Sequence, residues 1–131
     1  MKKRHLLVGI ILFTLIFAPM TVRCEDIFAA VAHDLIEQNR GTKGFMILDV
    51  RTPEEYEGGR IEGSENIDYY GDDFRERIEG LDKDRTYLVY CGSGNRSGRV
   101  LKLMSDLGFK RVYNLIEGIT RWQREGLPVT R

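Results

Sequence analysis

The stretch Tyr87-Leu88-Val89-Tyr90-Cys91-Gly92-Ser93-Gly94-Asn95-Arg96-Ser97 constrains the fold more than any other part of the chain. A run of large, β-forming residues stops at a cysteine, turn formers follow, and a helical pattern begins. A continuous apolar run of this length is a strand covered on both faces, which a parallel sheet flanked by helices provides. The same alternation recurs along the chain. Further strands are expected at 45–50, 65–67 and 112–115. Helical spacing marks 26–39, where Ile27, Ala30, Val31 and Leu35 recur before Gly41, and 72–81, which places Phe74, Ile78 and Leu81 on one face. It also marks 97–107, closed by Gly108, and 119–125. Thr52-Pro53-Glu54-Glu55 reads as an N-cap followed by proline at the first helical position, opening a short helix that holds Tyr56 and ends at Gly58-Gly59. Strands alternating with helices imply an α/β domain with a small open parallel sheet of four to five strands and helices on both faces. In such sheets ligands sit beyond the carboxyl ends of the strands, and Cys91 lies at such an end.

With 131 residues the chain has room for one compact domain and a short extension. The extension is at the N-terminus. Met1-Lys2-Lys3-Arg4 is a positive end, 6–17 an apolar run, and Ala18-Pro19-Met20-Thr21 a breaker, the three parts of an export signal. Residues 1–24 are read as this leader and 25–131 as the domain, with cleavage after Cys24. An uncleaved anchor spanning 6–22 is the alternative, because seventeen mostly apolar residues suffice for a tilted span. Lipid attachment at Cys24 is a third, against which Arg23 stands. The expected location is extracytoplasmic, either exported or held at the membrane. Beyond residue 24 the chain carries 16 basic against 20 acidic residues, about −4, with no basic stripe, which argues against nucleic acid as a partner.

On this division the domain keeps one cysteine, so a disulfide framework is excluded for a monomer. A thiol with pKa about 8.5 is only a few per cent ionised at neutral pH, and the nucleophile is the thiolate. Histidine is the usual helper, but the chain has only His5 and His33, neither near Cys91 in sequence. The stabilising groups left are the loop's own N–H groups, the positive end of the following helix and the Arg96 guanidinium. Gly92 and Gly94 allow the left-handed backbone that turns such groups toward one point. A cradle of this kind also suits a persulfide formed when the thiolate takes a sulfur atom from a donor. Arg96 either contacts the oxyanion end of that donor or pairs with a surface acid. Ser97 is either a helix cap or a contributor to the site.

Four separated segments resemble the single-domain rhodanese family of sulfurtransferases over about residues 26–130. They are Leu48-Asp49-Val50-Arg51-Thr52-Pro53-Glu54-Glu55-Tyr56, Arg60-Ile61-Glu62-Gly63-Ser64-Glu65-Asn66-Ile67, the loop 89–97, and Asn114-Leu115-Ile116-Glu117-Gly118-Ile119-Thr120-Arg121-Trp122. The resemblance implies transfer of sulfane sulfur from a donor such as thiosulfate, through a persulfide on Cys91, to a thiol or cyanide-like acceptor. It implies no metal and no organic cofactor. Gly92, Ser93, Gly94, Asn95, Arg96 and Ser97 are then the substrate-binding loop, and Asp49 and Arg51 brace it. Arg60, Glu62 and Ser64 stand where the family has histidine, proline and alanine, which bears on loop geometry rather than on the chemistry. Trp122 is expected in the core.

Two rivals accompany this reading. Thiolate phosphatases and arsenate reductases also place a cysteine in an anion loop before an arginine, but the phosphatase loops are longer than the four residues from Gly92 to Asn95. The shorter ring suits one sulfur atom better than a tetrahedral phosphate. The other rival is a non-catalytic sulfur carrier or docking module, against which the intact Cys91 stands.

Overall fold

The computed structural model of the protein describes Pro19 and residues 21–131. The apolar run 6–17, with the positive end before it, lies outside the described residues. Among those described, no helix is long and apolar enough to cross a membrane.

The described chain runs β1 (Arg23–Ile27), α1 (Ala29–Gln38), β2 (Phe45–Asp49), α2 (Pro53–Glu57), β3 (Glu65–Asn66), α3 (Phe74–Glu79), β4 (Thr86–Tyr90), α4 (Asn95–Asp106), β5 (Arg111–Leu115) and α5 (Gly118–Arg124). The five strands form one sheet in the order β1-β5-β4-β2-β3, every pair parallel. The central strands β4 and β2 are the two continuous apolar runs, as burial on both faces demands.

Side chains alternate across the sheet with period two and sort into two cores. On one face Met46, Leu48, Tyr87, Val89, Cys91 and Val112 pack with Ile78 of α3 and Val100 and Met104 of α4. On the other, Ile47, Leu88, Tyr90 and Leu115 pack with Ala29 and Ala32 of α1 and Ile119 and Trp122 of α5. Each large apolar side chain so enclosed contributes about 1.5–3 kcal/mol relative to exposure. Trp122 is in this second core, its indole N–H donating to the Pro128 carbonyl at 2.9 Å. Tyr87 and Tyr90 bury their rings and satisfy their hydroxyls: Tyr87 donates to the Asp82 carbonyl at 2.7 Å, and Tyr90 accepts from the Ile61 N–H at 3.1 Å. Ser64, one of the departures noted above, stands 3.1 Å from the same Tyr90 hydroxyl, so its oxygen serves a buried polar group. Arg60, another departure, lays its guanidinium over the Tyr56 ring, 4.5 Å from the centroid.

The sequence expectation failed at the start of the domain. Residues 26–39 were expected to be one helix, with 1–24 outside the fold. Instead Arg23–Ile27 is an edge strand paired in register with β5, and α1 begins only at Ala29. The expected cleavage point after Cys24 therefore falls inside β1, and the described residues hold two unpaired thiols, Cys24 and Cys91. The physical reason is that β1 is short and mostly exposed, so its residues carry no local apolar period. Its strand conformation comes from hydrogen bonds to β5, which is 88 residues away in the Asp26–Asn114 pair. The other boundaries shift by one to three residues.

Candidate active site

Because all strands are parallel, their carboxyl ends share one edge of the sheet. Asp49 ends β2 beside Tyr90 of β4, and Leu115 of β5 ends beside Ile27. Cys91 follows Tyr90 directly and is fully buried. From there the chain turns through Gly92, Ser93 and Gly94 into α4. Gly94 is the N-cap of that helix, with φ +93°, a conformation that glycine adopts without a Cβ clash.

Helix α4 has no side-chain N-cap of the ordinary kind. The Cys91 sulfur takes that place. Sγ accepts from the Gly94 N–H at 3.2 Å, the Ser97 N–H at 3.5 Å and the Ser97 hydroxyl at 3.3 Å. The first N–H groups of a helix lack internal partners and carry its positive end, so an anion is favoured there. Burial pushes the Cys91 thiol up, and it is the largest single influence. The Ser97 hydroxyl and the N–H groups of Ser97, Gly94 and Ser93 together outweigh it and bring the thiol below its ordinary value.

Ser97 is thus a contributor to the site and not a cap. The helix starts two residues earlier than its sequence pattern predicts, which puts Ser97 in the first turn, buried beneath the sulfur. Ser93 and Asn95 are exposed at the rim. Gly92 sits against the Arg96 guanidinium, 3.5 Å from where a Cβ would stand.

Arg96 makes no hydrogen bond to the sulfur among the described residues. It forms a two-pronged pair with Glu55: Nη1 donates to Oε2 at 2.8 Å and Nη2 to Oε1 at 2.9 Å. Of its two expected roles, the geometry is that of the paired arginine. Glu55 is placed by its own helix. Its Oε2 accepts from the Thr52 N–H at 2.9 Å while the Thr52 hydroxyl accepts from the Glu55 N–H, a capping box that opens α2. The Arg96 hydrogen bonds hold the Glu55 carboxyl down at about 2, and the same pair pushes the Arg96 guanidinium up.

Two further devices set the loop. Asp49 and Arg51 form a buried pair, with Arg51 Nη2 2.7 Å from Asp49 Oδ2 and also donating to the Gly59 carbonyl at 2.7 Å. Arg51 Nε lies 3.0 Å from Asp49 Oδ1, and the Arg51 N–H donates to that oxygen at 2.9 Å. This ties the turn after β2 to the turn after α2, the bracing role expected of the two residues. The first turn of α5 then holds the cysteine loop from behind. The N–H groups of Ile119 and Thr120 donate to the carbonyls of Cys91 and Gly92 at 2.9 and 3.2 Å.

Neither Glu55 nor Gly118 was singled out for the site from sequence. In the sequence Glu55 reads only as a residue of the short helix that Thr52-Pro53 opens. Gly118 carried only the general signal of a glycine at the start of a helix. Glu117 beside it has φ +59°, the one non-glycine in that region among the described residues, and it lines a shallow pocket of about 240 Å³ with Ser93, Thr120, Arg121 and Arg124.

Comparison with known proteins bears on the fold and the family. The chain is similar to a sulfurtransferase of Allochromatium vinosum, 32% identical over 98 residues that cover 75% of this chain and 90% of that one. It is also similar to the thiosulfate sulfurtransferase GlpE of Pseudomonas aeruginosa, 32% identical over 76% of this chain and 87% of that one. Among solved structures, a rhodanese-related protein of Thermoplasma volcanium superposes with a TM-score of 0.66 at 36% identity, covering 81% of this chain and 97% of that one. The family model described as Rhodanese-like domain matches residues 30–125, a span that includes the cysteine loop, its Glu55 and Asp49–Arg51 supports and the start of α5. A parallel sheet with a thiol capping the helix after its central strand, matched over that span, places the chain in the rhodanese-like domain family of sulfurtransferases.

Proposed function

We propose that the protein is a thiosulfate-type sulfurtransferase working through a persulfide on Cys91. The Cys91 thiolate attacks the outer sulfur of a donor such as thiosulfate. A sulfur–sulfur bond forms to Cys91, the donor's own sulfur–sulfur bond breaks, and sulfite leaves with the electron pair. A thiolate or cyanide then attacks the outer sulfur of the persulfide, and the Cys91 thiolate returns. No redox partner enters the cycle. The observation that carries this reading is the set of donors on Cys91 Sγ from Gly94 and Ser97, which suits a sulfur anion. The loop of four residues between Cys91 and Arg96 favours a single sulfur atom over a phosphate. The thiosulfate sulfurtransferase name borne by the Pseudomonas relative supports the choice of donor. The apolar run at 6–17 supports an extracytoplasmic location, by export or by an anchor.

The test is to mix the full chain with thiosulfate and weigh it, beside Cys91→Ser. Wild type is expected to gain one sulfur atom and the variant none. Absence of a gain in wild type would overturn catalysis in favour of a docking module, and phosphomonoester hydrolysis by the same preparation would favour the phosphatase.

A further inference from the structure

Arg96 is the only cation within the loop that holds Cys91, and both of its outer nitrogens are already engaged by Glu55. The pair lies against the residue that follows the nucleophile: a Cβ on Gly92 would stand 3.5 Å from Arg96 Nη2 and 4.0 Å from Glu55 Oε1. The Tyr70 ring flanks the guanidinium, 5.7 Å from its centre. Glu55 is not free to follow Arg96 elsewhere, because the N–H and hydroxyl of Thr52 hold the same carboxylate at 2.9 and 3.1 Å. The side chains of Arg96 and Glu55 keep 20% and 39% of their surface in water, so the pair stands where a donor arrives.

A donor such as thiosulfate brings two negative charges to this spot. To use Arg96 it must displace a carboxylate already matched to the guanidinium in a fork-to-fork geometry, and it meets that fixed carboxylate at close range. We propose that Glu55 is a specificity-determining residue, a tethered internal anion that competes with the oxyanion end of the donor for Arg96 and so disfavours dianionic donors relative to organic persulfides of lower charge. This rests on the sulfurtransferase reading for its substrate class, but the competition itself is a property of anion binding.

The variant that isolates it is Glu55→Gln, since glutamine also satisfies a capping box while lacking the charge. On the full chain, the rate of Cys91 alkylation by iodoacetamide is followed against rising sulfate, an unreactive dianion, at constant ionic strength. Each protein is scaled to its own rate without sulfate, and thermal unfolding checks that the fold is kept. The sulfate concentration that halves the rate is expected to fall about threefold or more in Glu55→Gln, and the KM for thiosulfate to fall with it. Adding Arg96→Gln to that variant is expected to abolish the gain. An unchanged or higher half-protection concentration in Glu55→Gln overturns the proposal, because it would mean that Glu55 orients Arg96 for the anion or does not touch it. Absence of protection by sulfate in both proteins overturns it as well. If sulfate behaves as expected while no donor ever adds sulfur to Cys91, the competition stands and the sulfurtransferase reading fails.

Discussion

The α-carbon of Gly118 lies against the backbone of Cys91, so close that a methyl group on it would stand 2.3 Å from the Cys91 carbonyl oxygen and 2.4 Å from that of Gly92. The approach lets α5 take both carbonyls by hydrogen bonds. A peptide plane whose oxygen is drawn toward α5 has its N–H on the opposite side. The two planes held in this way carry the N–H groups of Gly92 and Ser93, and the Ser93 N–H is one of those that lower the Cys91 thiol, so part of the sulfur cradle is set from outside the loop.

Gly118→Ala is expected to cost about 3 kcal/mol or more, since the added carbon collides with backbone and the φ of +58° disfavours any side chain. For a domain of this size the melting temperature should drop by ~10 °C or more, read by calorimetry. Surviving protein should alkylate at Cys91 with a higher apparent pKa, because the loop has been pushed out of place.

Glu117 sits next to that glycine with φ +59°, where a residue with a Cβ is strained. Its carboxylate has one distant partner, Arg121 at 3.9 Å, on the surface. Glu117→Gly should therefore stabilise the protein by about 0.5–1 kcal/mol, measured as a higher midpoint in urea at unchanged slope.

Among the described residues the Ser97 hydroxyl is the one side-chain donor to the sulfur. Hydrogen bonds to charged groups contribute ~1.5–3 kcal/mol, and one pKa unit corresponds to about 1.4 kcal/mol. Ser97→Ala should move the apparent pKa of Cys91 alkylation up by about one unit, with little change in fold because alanine fits the same space. A titration that does not move would remove Ser97 from the site.

Because the Cys91 thiol is held below its ordinary value, its alkylation in the folded protein should rise with a midpoint below that of the same thiol in the unfolded chain. The linked stability has the sign of a depressed pKa. It is fully present above the unfolded thiol's pKa and is lost as pH falls through the folded one. Urea unfolding at pH 9 and at pH 6 should show wild type relatively more stable at the higher pH, by a margin that Cys91→Ser removes. The Glu55 carboxyl, held at about 2, stays ionised throughout this range and adds no step of its own.

Asp49→Ala would leave the Arg51 guanidinium buried without its counter-charge. Breaking one side of such a pair costs about 3–5 kcal/mol. The expected result is a protein that melts well below wild type, with sulfur transfer per folded molecule reduced less than the folded fraction.

Much of the fold was legible because it is written in local periods. The runs at β2 and β4 are apolar on successive residues, which is how a strand covered on both faces appears. Val100, Met104 and Gly108 mark α4 and its end, and Thr52-Pro53 marks the start of α2. The candidate nucleophile was legible for a related reason: a cysteine at a strand end followed by turn formers stands at a helix start, where its sulfur meets the helix N–H groups even though the side chain is also enclosed in the core. Edge strand β1 was not legible. Arg23, Glu25 and Asp26 look like the end of a leader, and only the neighbouring β5 makes them a strand.

By itself the sequence determined an α/β domain with a thiol at the mouth of a helix, because hydrophobic period and turn chemistry act between residues close in the chain. The tertiary structure alone decided what surrounds that thiol: Glu55 on Arg96 across 41 positions, α5 behind the loop, Ser97 under the sulfur rather than capping the helix. Charges and hydrogen bonds of this kind act through space over a few ångströms, so they depend on which distant segments the folded chain brings together.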